Sequence, residues 1–333
     1  MATSYLLARQ LRGVLVSVRE KRVNPEKFAA DRIEEIGRIV GKDTAVSALS
    51  GGVDSAVVTV LGHRALGKRL KVIFIDDGLM REGEPRAVKA GFRKLGIPVS
   101  IINAQKTFFR ALKGLTDPED KRKVFSDTFY RTFEKAVKAT GARYLLQGTI
   151  APDIIETKKA VKTQHNVLEQ IGIDPRKRYG FVAIEPLKTL FKPGVRKVGR
   201  ALGMPKAMTE RMPFPGPGLL CRCLGEATPP RIEIVRKACG IVEEETKRFK
   251  AFQTFGVLLS DRATGLTKKG GRHFGNIIVI RCVDSKNAMT AKATRVPRKV
   301  LDRITRRIFN AIPQVVKVLY DLSPKPPSTI EYI

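Results

Sequence analysis

The sequence predicts an α/β fold: a doubly wound parallel sheet followed by a smaller α+β unit. Three observations predict it. Apolar runs of strand length alternate with helix-period stretches between residues 24 and 147, the pattern of parallel strands joined by crossover helices. The first such strand ends in Ser50-Gly51-Gly52, a turn that leads directly into a helix. Residues 212–218 read Met-Pro-Phe-Pro-Gly-Pro-Gly, too rich in proline for helix or central strand, and beyond them the alternation changes. A length of 333 residues suits two domains with real cores.

The elements follow in order. Residues 1–23 form an N-terminal extension. Asn24-Pro25 supplies a cap and first position for a helix ending near Gly41. A strand at about 44–49, the glycine turn and a helix to Leu66 come next. Leu70–Asp76 reads as a second strand, Glu84–Leu95 as a helix closed by Gly96, and Val99–Ile102 as a third strand. A helical stretch covers about 118–139, followed by a strand at Tyr144–Gln147. Residues 153–180 have no steady apolar period and are rich in lysine, so they read as a long functional or disordered loop. The first domain is placed at 24–210 and the second at 211–333. The second holds a helix at about 231–249, strands near 251–259 and 276–283, a helix at 298–310 and a strand at Val315–Tyr320.

The string Ser50-Gly51-Gly52-Val53-Asp54-Ser55 is the most informative in the chain. Two glycines let the backbone turn sharply and approach a ligand. The amides and positive dipole at the following helix start favour phosphate. The Gly-Lys-Ser/Thr ending of the common phosphate loop is missing. In doubly wound sheets ligands bind at the carboxyl ends of strands, and Ser50, Asp76-Asp77-Gly78 and Gly148-Thr149 all fall there.

Composition limits the partners. With 63 Lys and Arg against 32 Asp and Glu, the formal charge is +31, which suits polyanionic substrates, an acidic subunit or nucleic acid. The basic runs Arg176-Lys177-Arg178, Lys268-Lys269 and Arg306-Arg307 are scattered and read as solvated faces. Cys221, Cys223, Cys239 and Cys282 lack paired spacing, which argues against zinc and for reduced thiols in a cytoplasmic protein. No apolar run is long enough to span a bilayer. Residues 1–22 carry Arg9, Arg12 and Arg19 with no acid before Glu20; this superficially matches a transit peptide, and an extended start or surface helix is the simpler reading.

The loop string resembles the pyrophosphate loop of the N-type ATP pyrophosphatases, the adenine nucleotide alpha hydrolase-like fold. Five segments together resemble one family within it, the ATP-pyrophosphatase part of GMP synthase. They are residues 50–55, Phe-Ile-Asp-Asp-Gly-Leu-Met-Arg at 74–81, Gln-Gly-Thr-Ile-Ala-Pro-Asp-Ile-Ile-Glu at 147–156, Pro-Phe-Pro-Gly-Pro-Gly-Leu at 213–219 and Lys-Pro-Pro-Ser-Thr-Ile-Glu at 325–331. The resemblance implies adenylation of XMP by Mg-ATP with release of pyrophosphate, then amination by ammonia to give GMP and AMP. It implies an ATP site from Ser50, Gly51, Gly52, Val53, Asp54, Ser55, Ala56, Ile75 and Gly148, with Asp54 at Mg²⁺. Asp153, Glu156, Lys162 and His165 would complete that site from a lid at about 153–180. XMP would meet Arg81, Pro215, Gly216, Pro217, Gly218, Lys325, Thr329, Ile330 and Glu331. A C-terminal dimerisation domain and a homodimer are implied too.

The sequence departs from the family pattern in four places: Ala56 for a usual Ser, Asp77 for a usual Asn, Leu168-Glu169-Gln170 where the lid usually has Gly-Gly, and Glu-Tyr-Ile for Glu-Trp-Glu at 331–333. About 25 residues precede the first helix and no cysteine precedes Cys221, so a glutamine amidotransferase domain is expected to be absent and ammonia to come from a separate subunit, as in archaea. The competing enzyme reading is a tRNA-modifying ATP pyrophosphatase using Cys221 and Cys223. A pure RNA-binding module is disfavoured, because aromatics make up only 7% and no RNA-recognition motif occurs.

Overall fold

The computed structural model describes residues 23–158, 181–267, 270–286 and 288–333. In chain order the elements are α1 (Pro25–Val40), β1 (Ala45–Leu49), α2 (Val53–Leu66), β2 (Leu70–Asp76), α3 (Glu84–Arg93), β3 (Ser100–Asn103), α4 (Gln105–Ala111) and α5 (Pro118–Lys138). Next come β4 (Tyr144–Leu146), α6 (Ala151–Lys158), β5 (Val182–Ile184), α7 (Lys192–Ala201) and α8 (Lys206–Thr209). The last part has α9 (Pro229–Thr246), β6 (Gln253–Leu266), β7 (Arg272–Asp284), β8 (Lys292–Ala293), α10 (Arg298–Ala311) and β9 (Val315–Tyr320).

Five strands form a sheet of order β3-β2-β1-β4-β5, and its described pairings are parallel. This is the doubly wound arrangement expected from the alternation of strands and helices. The chain divides into two compact units, each built from separated segments. One gathers residues up to Ser47, Val53–Leu70 and Arg143–Glu210; the other gathers Ala48–Gly52, Lys71–Ala142 and Arg211–Ile333.

In the first unit Asn24 caps α1 by accepting a hydrogen bond from the Lys27 amide at 2.8 Å, as the Asn-Pro pair predicts. Helix α2 is buried along most of its length because its neighbours cover it on several sides. Ser47 and Thr59 bring their hydroxyls to 2.7 Å inside this core, so each polar group is paired. Parallel pairing sets Ala45 against Tyr144 and Ser47 against Leu146, with β5 on the other side of β4.

In the second unit β2 pairs with β3 from Ile73–Ser100 to Asp76–Asn103. Asp117 caps α5 by accepting from the amides of Glu119 and Asp120, and α5 buries Phe125, Tyr130, Phe133 and Val137. A second sheet in this unit pairs β6 with β7 antiparallel, β7 with β8 antiparallel and β7 with β9 parallel. Helix α9 lies against β6 and α10 against α9, giving the expected α+β layer.

Some expectations need correction. The stretch from residue 153 does not begin as a loop, because Ala151–Lys158 is helical; residues 159–180 lie outside the described residues. Strands β6 and β7 run well beyond 259 and begin before 276. Their distal halves form an exposed ribbon whose side chains need no apolar alternation, so periodicity could not reveal them. Helix α4 has seven residues, too few to show a clear period. Among the described residues no helix is long and apolar enough to cross a membrane.

Lys121 of α5 is fully buried and donates from Nζ to the carbonyls of Cys223 (2.6 Å) and Gly225 (2.9 Å). Burial pushes its pKa down. Lys121→Met keeps the volume but removes the donor from both carbonyls. Unfolding in urea should show a loss of about 2–6 kcal/mol, since each of the two unsatisfied buried acceptors costs about 1–3 kcal/mol. An unchanged midpoint would mean that the two carbonyls are satisfied without this lysine.

Candidate active site

The loop from Ser50 to Ala56 leaves β1 and enters α2. Gly51 has φ +78°, a left-handed conformation that glycine adopts without strain. The Gly52 amide donates to Ser50 Oγ at 3.3 Å, so that amide is already engaged within the turn. Helix α2 starts at Val53, and Asp54 stands in its first turn with Ser55 and the mostly buried Ala56. A carboxylate there is favoured by the helix dipole.

Asp54 forms an ion pair in the first unit. Its Oδ2 lies 3.1 Å from Lys192 Nζ, at the start of α7. Its Oδ1 is buried and has no hydrogen-bond partner among the described residues. A buried carboxylate oxygen without a donor is costly, so a ligand is the natural partner for it. Lys192 was not singled out by sequence; its position in Phe-Lys-Pro-Gly, opening a helix, was the available signal. Gly148, just past β4, packs against this helix start. A Cβ on it would lie 3.0 Å from the Ser55 amide nitrogen and 3.1 Å from the Asp54 carbonyl carbon, which only glycine avoids. Asp153 turns back to accept from the Ile150 amide at 2.8 Å, a helix-start contact in α6. Glu156 lies on the same helix, while Lys162 and His165 fall outside the described residues.

In the second unit Ile75 is buried near the end of β2. The turn beyond it is knitted by side chains. Asp76 accepts from the Gly78 amide (3.1 Å) and from Gln105 Nε2 (2.8 Å), and Asp77 accepts from the Leu79 amide (2.8 Å). The Leu79 carbonyl then accepts from the Leu219 amide at 2.7 Å. That contact seats the proline-glycine string: a Cβ on Gly218 (φ +62°) would sit 2.3 Å from the Leu79 oxygen. Within the string Pro215 accepts from the Gly218 amide and Pro217 from the Leu220 amide; Gly216 adds no side chain there.

Arg81 lies over the Phe214 ring, 4.2 Å from its centroid, with its Nε donating to Glu243 at 3.2 Å. The fully buried Arg222 lies 5.0 Å from the Phe214 centroid and 4.1 Å from that of Phe255. It forks onto both carboxylate oxygens of Glu331, at 3.1 and 2.9 Å, and Gln253 donates to the same carboxylate at 3.0 Å. So the structure brings Arg81, Phe214, Arg222, Gln253 and Glu331 together. Sequence reading missed Arg222 and Gln253, which follow no spaced motif. Ile330 is buried, and Thr329 offers its carbonyl to Arg281 Nη2 at 2.9 Å. Lys325 pairs its backbone with Ala291 and points its ammonium at the Ala288 carbonyl, 2.9 Å away.

Sequence comparison adds to these observations. The NAD synthase family model matches residues 26–216, and the GMP synthase C terminal domain model matches residues 241–332. A protein of Archaeoglobus fulgidus, named as a subunit of GMP synthase [glutamine-hydrolyzing], is 50% identical over 92% of this chain and 99% of that one. The proteins of the same name from Methanopyrus kandleri and Pyrococcus furiosus are 45% and 47% identical over 93% and 92% of this chain, and 99% and 97% of theirs. The chain belongs to this family of GMP synthase subunits.

Membership of the GMP synthase family frames the departure at Asp77. Its side chain is fully buried, Oδ2 has no partner among the described residues, and desolvation pushes its pKa up to about 7. A carboxyl that keeps its proton to neutral pH is an uncharged group where the family pattern has an uncharged amide. Because the folded-state pKa is raised, the stabilisation from protonation is complete below the unfolded value of about 4 and is lost as pH rises through about 7. Asp77→Asn should remove this dependence. Urea unfolding at about pH 4 and about pH 8 should give wild type a pH-linked loss about 4 kcal/mol larger than the variant. Equal losses in both proteins would show that Asp77 ionises normally.

Proposed function

We propose that this chain is the ligase that makes GMP from XMP, with residues 24–210 serving ATP and residues 211–333, joined by Arg81, serving XMP. The purine O2 of XMP attacks the α-phosphate of ATP, forming an O–P bond and releasing pyrophosphate. Ammonia then adds at C2 and AMP leaves, giving GMP. The observation that carries this reading is 50% identity to a GMP synthase subunit over 99% of its length. The Ser-Gly-Gly-Val-Asp loop, ending in a half-satisfied Asp54 beside Lys192, agrees with it.

In this reading Ser50 to Ala56 cradle the leaving pyrophosphate, and Ile75 and Gly148 face the adenosine part through backbone groups. Mg²⁺ fits Asp54, whose unpartnered oxygen is the hard donor such an ion takes alongside phosphates. Bound there, it would neutralise charge on the departing pyrophosphate. Lys192 holds the second oxygen of Asp54 and so fixes which one faces the ligand. Asp153, Glu156, Lys162 and His165 complete the ATP site. Arg81, Pro215–Gly218, Lys325, Thr329, Ile330 and Glu331 bind XMP; Arg222 and Gln253 hold the Glu331 carboxylate for that task.

Ammonia comes from a separate glutamine amidotransferase subunit. All four cysteines are buried, and burial pushes the thiols up, Cys221 and Cys282 to about 12, so none is a ready nucleophile for glutamine. The same burial disfavours the tRNA-modifying alternative with catalytic or metal-binding Cys221 and Cys223, and the GMP synthase relatives point away from it. Reduced thiols suit a cytoplasmic setting. We assign homodimerisation to the C-terminal part, where Leu266, Phe274, Leu319 and Leu322 are exposed.

Two measurements test this. With XMP and Mg-ATP the pure chain should form GMP and pyrophosphate from ammonium but not from glutamine. Glutamine-driven synthesis by the chain alone, or pyrophosphate release requiring tRNA rather than XMP, would refute it. Asp54→Ala should fold normally and lose about 10²–10³ in kcat, the cost of removing one transition-state contact of this kind. Nearly full activity would reduce Asp54 to a helix-start residue.

A further inference from the structure

Glu84 and Arg211 are outside every motif singled out above, yet they meet at the glycine turn. Glu84 opens α3, and only 2% of its side chain is exposed. Its Oε2 accepts from Arg211 Nη2 at 2.6 Å. Through Nη1, Arg211 also donates to the Gly51 carbonyl at 3.2 Å. The fit is close enough that a Cβ on Gly51 would stand 2.4 Å from Glu84 Oε1 and 3.7 Å from Arg211 Nη1. Arg81 Nη1 lies 4.0 Å from the same Glu84 oxygen that Arg211 holds, so the carboxylate faces two guanidinium groups.

A buried carboxylate needs a cation with well-aimed donors, and the guanidinium fork meets that need while leaving one arm for a carbonyl. That arm fixes more than one atom. The Gly51 carbonyl and the Gly52 N–H belong to one planar trans peptide and point in opposite directions. Holding the carbonyl toward Arg211 therefore aims the Gly52 N–H, which meets Ser50 Oγ at 3.3 Å. Glycine at φ +78° would otherwise let this peptide rotate, because it has no Cβ to resist.

We infer that Arg211, braced by the buried carboxylate of Glu84, is a positioning residue that locks the Gly51–Gly52 peptide in the orientation the loop needs to take pyrophosphate. The inference rests on reading residues 50–56 as a pyrophosphate loop. Neither side chain needs to touch the ligand; the pair acts through the peptide it holds.

The test uses inorganic pyrophosphate with magnesium as the probe, titrated calorimetrically into the full chain, with XMP titrated separately. Arg211→Lys retains a cation for Glu84 but offers a point charge in place of the fork. Because other Arg211 changes would leave the buried Glu84 with only Arg81, 4.0 Å away, the second variant is the double change Glu84→Gln with Arg211→Met, which removes both charges. Each should melt within a few degrees of wild type, bind pyrophosphate roughly tenfold to a hundredfold more weakly, and bind XMP within about twofold of wild type. In steady state the loss should appear in both KM for ATP and kcat, since in that reading the loop shaped by this peptide also cradles the leaving group. Unchanged pyrophosphate affinity in a folded variant would overturn the inference. So would an equal loss for XMP, which would make the pair a general brace. Wild type that fails to bind pyrophosphate would overturn the loop reading and this inference together. Wild type that binds pyrophosphate but makes no GMP from XMP would refute the proposed reaction, while the variants would still decide the role of Arg211.

Discussion

The constraint on which the loop depends is close approach of other groups to its backbone. Gly148 lies so near the Asp54–Ser55 peptide that any side chain there would push the start of α2 away. Gly51 meets a limit of another kind, the carboxylate of the buried Glu84 side chain. A loop that takes phosphate must hold its amides and its one carboxylate in fixed directions, and side chains in these two places would displace them. The glycines make the geometry possible without specifying it. Specification comes from charged groups: Lys192 on Asp54, and Arg211 on the Gly51 carbonyl.

Buried cations give the second unit much of its internal order. Lys121, Arg222 and Arg281 are all fully buried, and each is tied to several acceptors. Arg222 is forked onto Glu331 between two aromatic rings. Arg281 pairs with Asp321 at 3.1 Å and donates to the carbonyls of Ser323 (2.7 Å) and Thr329 (2.9 Å). Such groups are expensive to desolvate, so much of the loss on removing one comes from the partners left unpaired, and each holds its partners in fixed directions. The acceptors of the two arginines are carbonyls and carboxylates of the segment 321–331, which is otherwise short of regular structure. Three proline residues in that segment cannot donate amide hydrogen bonds, and the arginines supply donors instead.

Two departures from the family pattern are chemically conservative once seen in place. Asp77, desolvated and holding its proton to about pH 7, is uncharged as the usual amide would be. Tyr332, where the family usually has Trp, donates its hydroxyl to Asp321 at 2.8 Å, and an indole N–H is likewise a donor. That bond joins the Arg281–Asp321 pair, so the exchange keeps the last residues attached to the same network.

What the sequence by itself determined was local and periodic. The parallel sheet followed from strand and helix periods, the cap at Asn24 from Asn-Pro, and β9 at Val315–Tyr320 from an apolar run between Pro313 and Asp321. The proposed ATP loop stood out because its glycines, aspartate and serine are contiguous, and so one short string carries both conformation and charge. The exposed half of the β6–β7 ribbon was not legible, since a solvated strand needs no buried face. Nor were the partners of the site residues: Lys192 for Asp54, Arg211 for Gly51, Arg222 and Gln253 for Glu331. Each pair is separated by 78 to 160 residues. Which arginine among so many reaches which carboxylate depends on how the chain packs, and only the tertiary structure decided it.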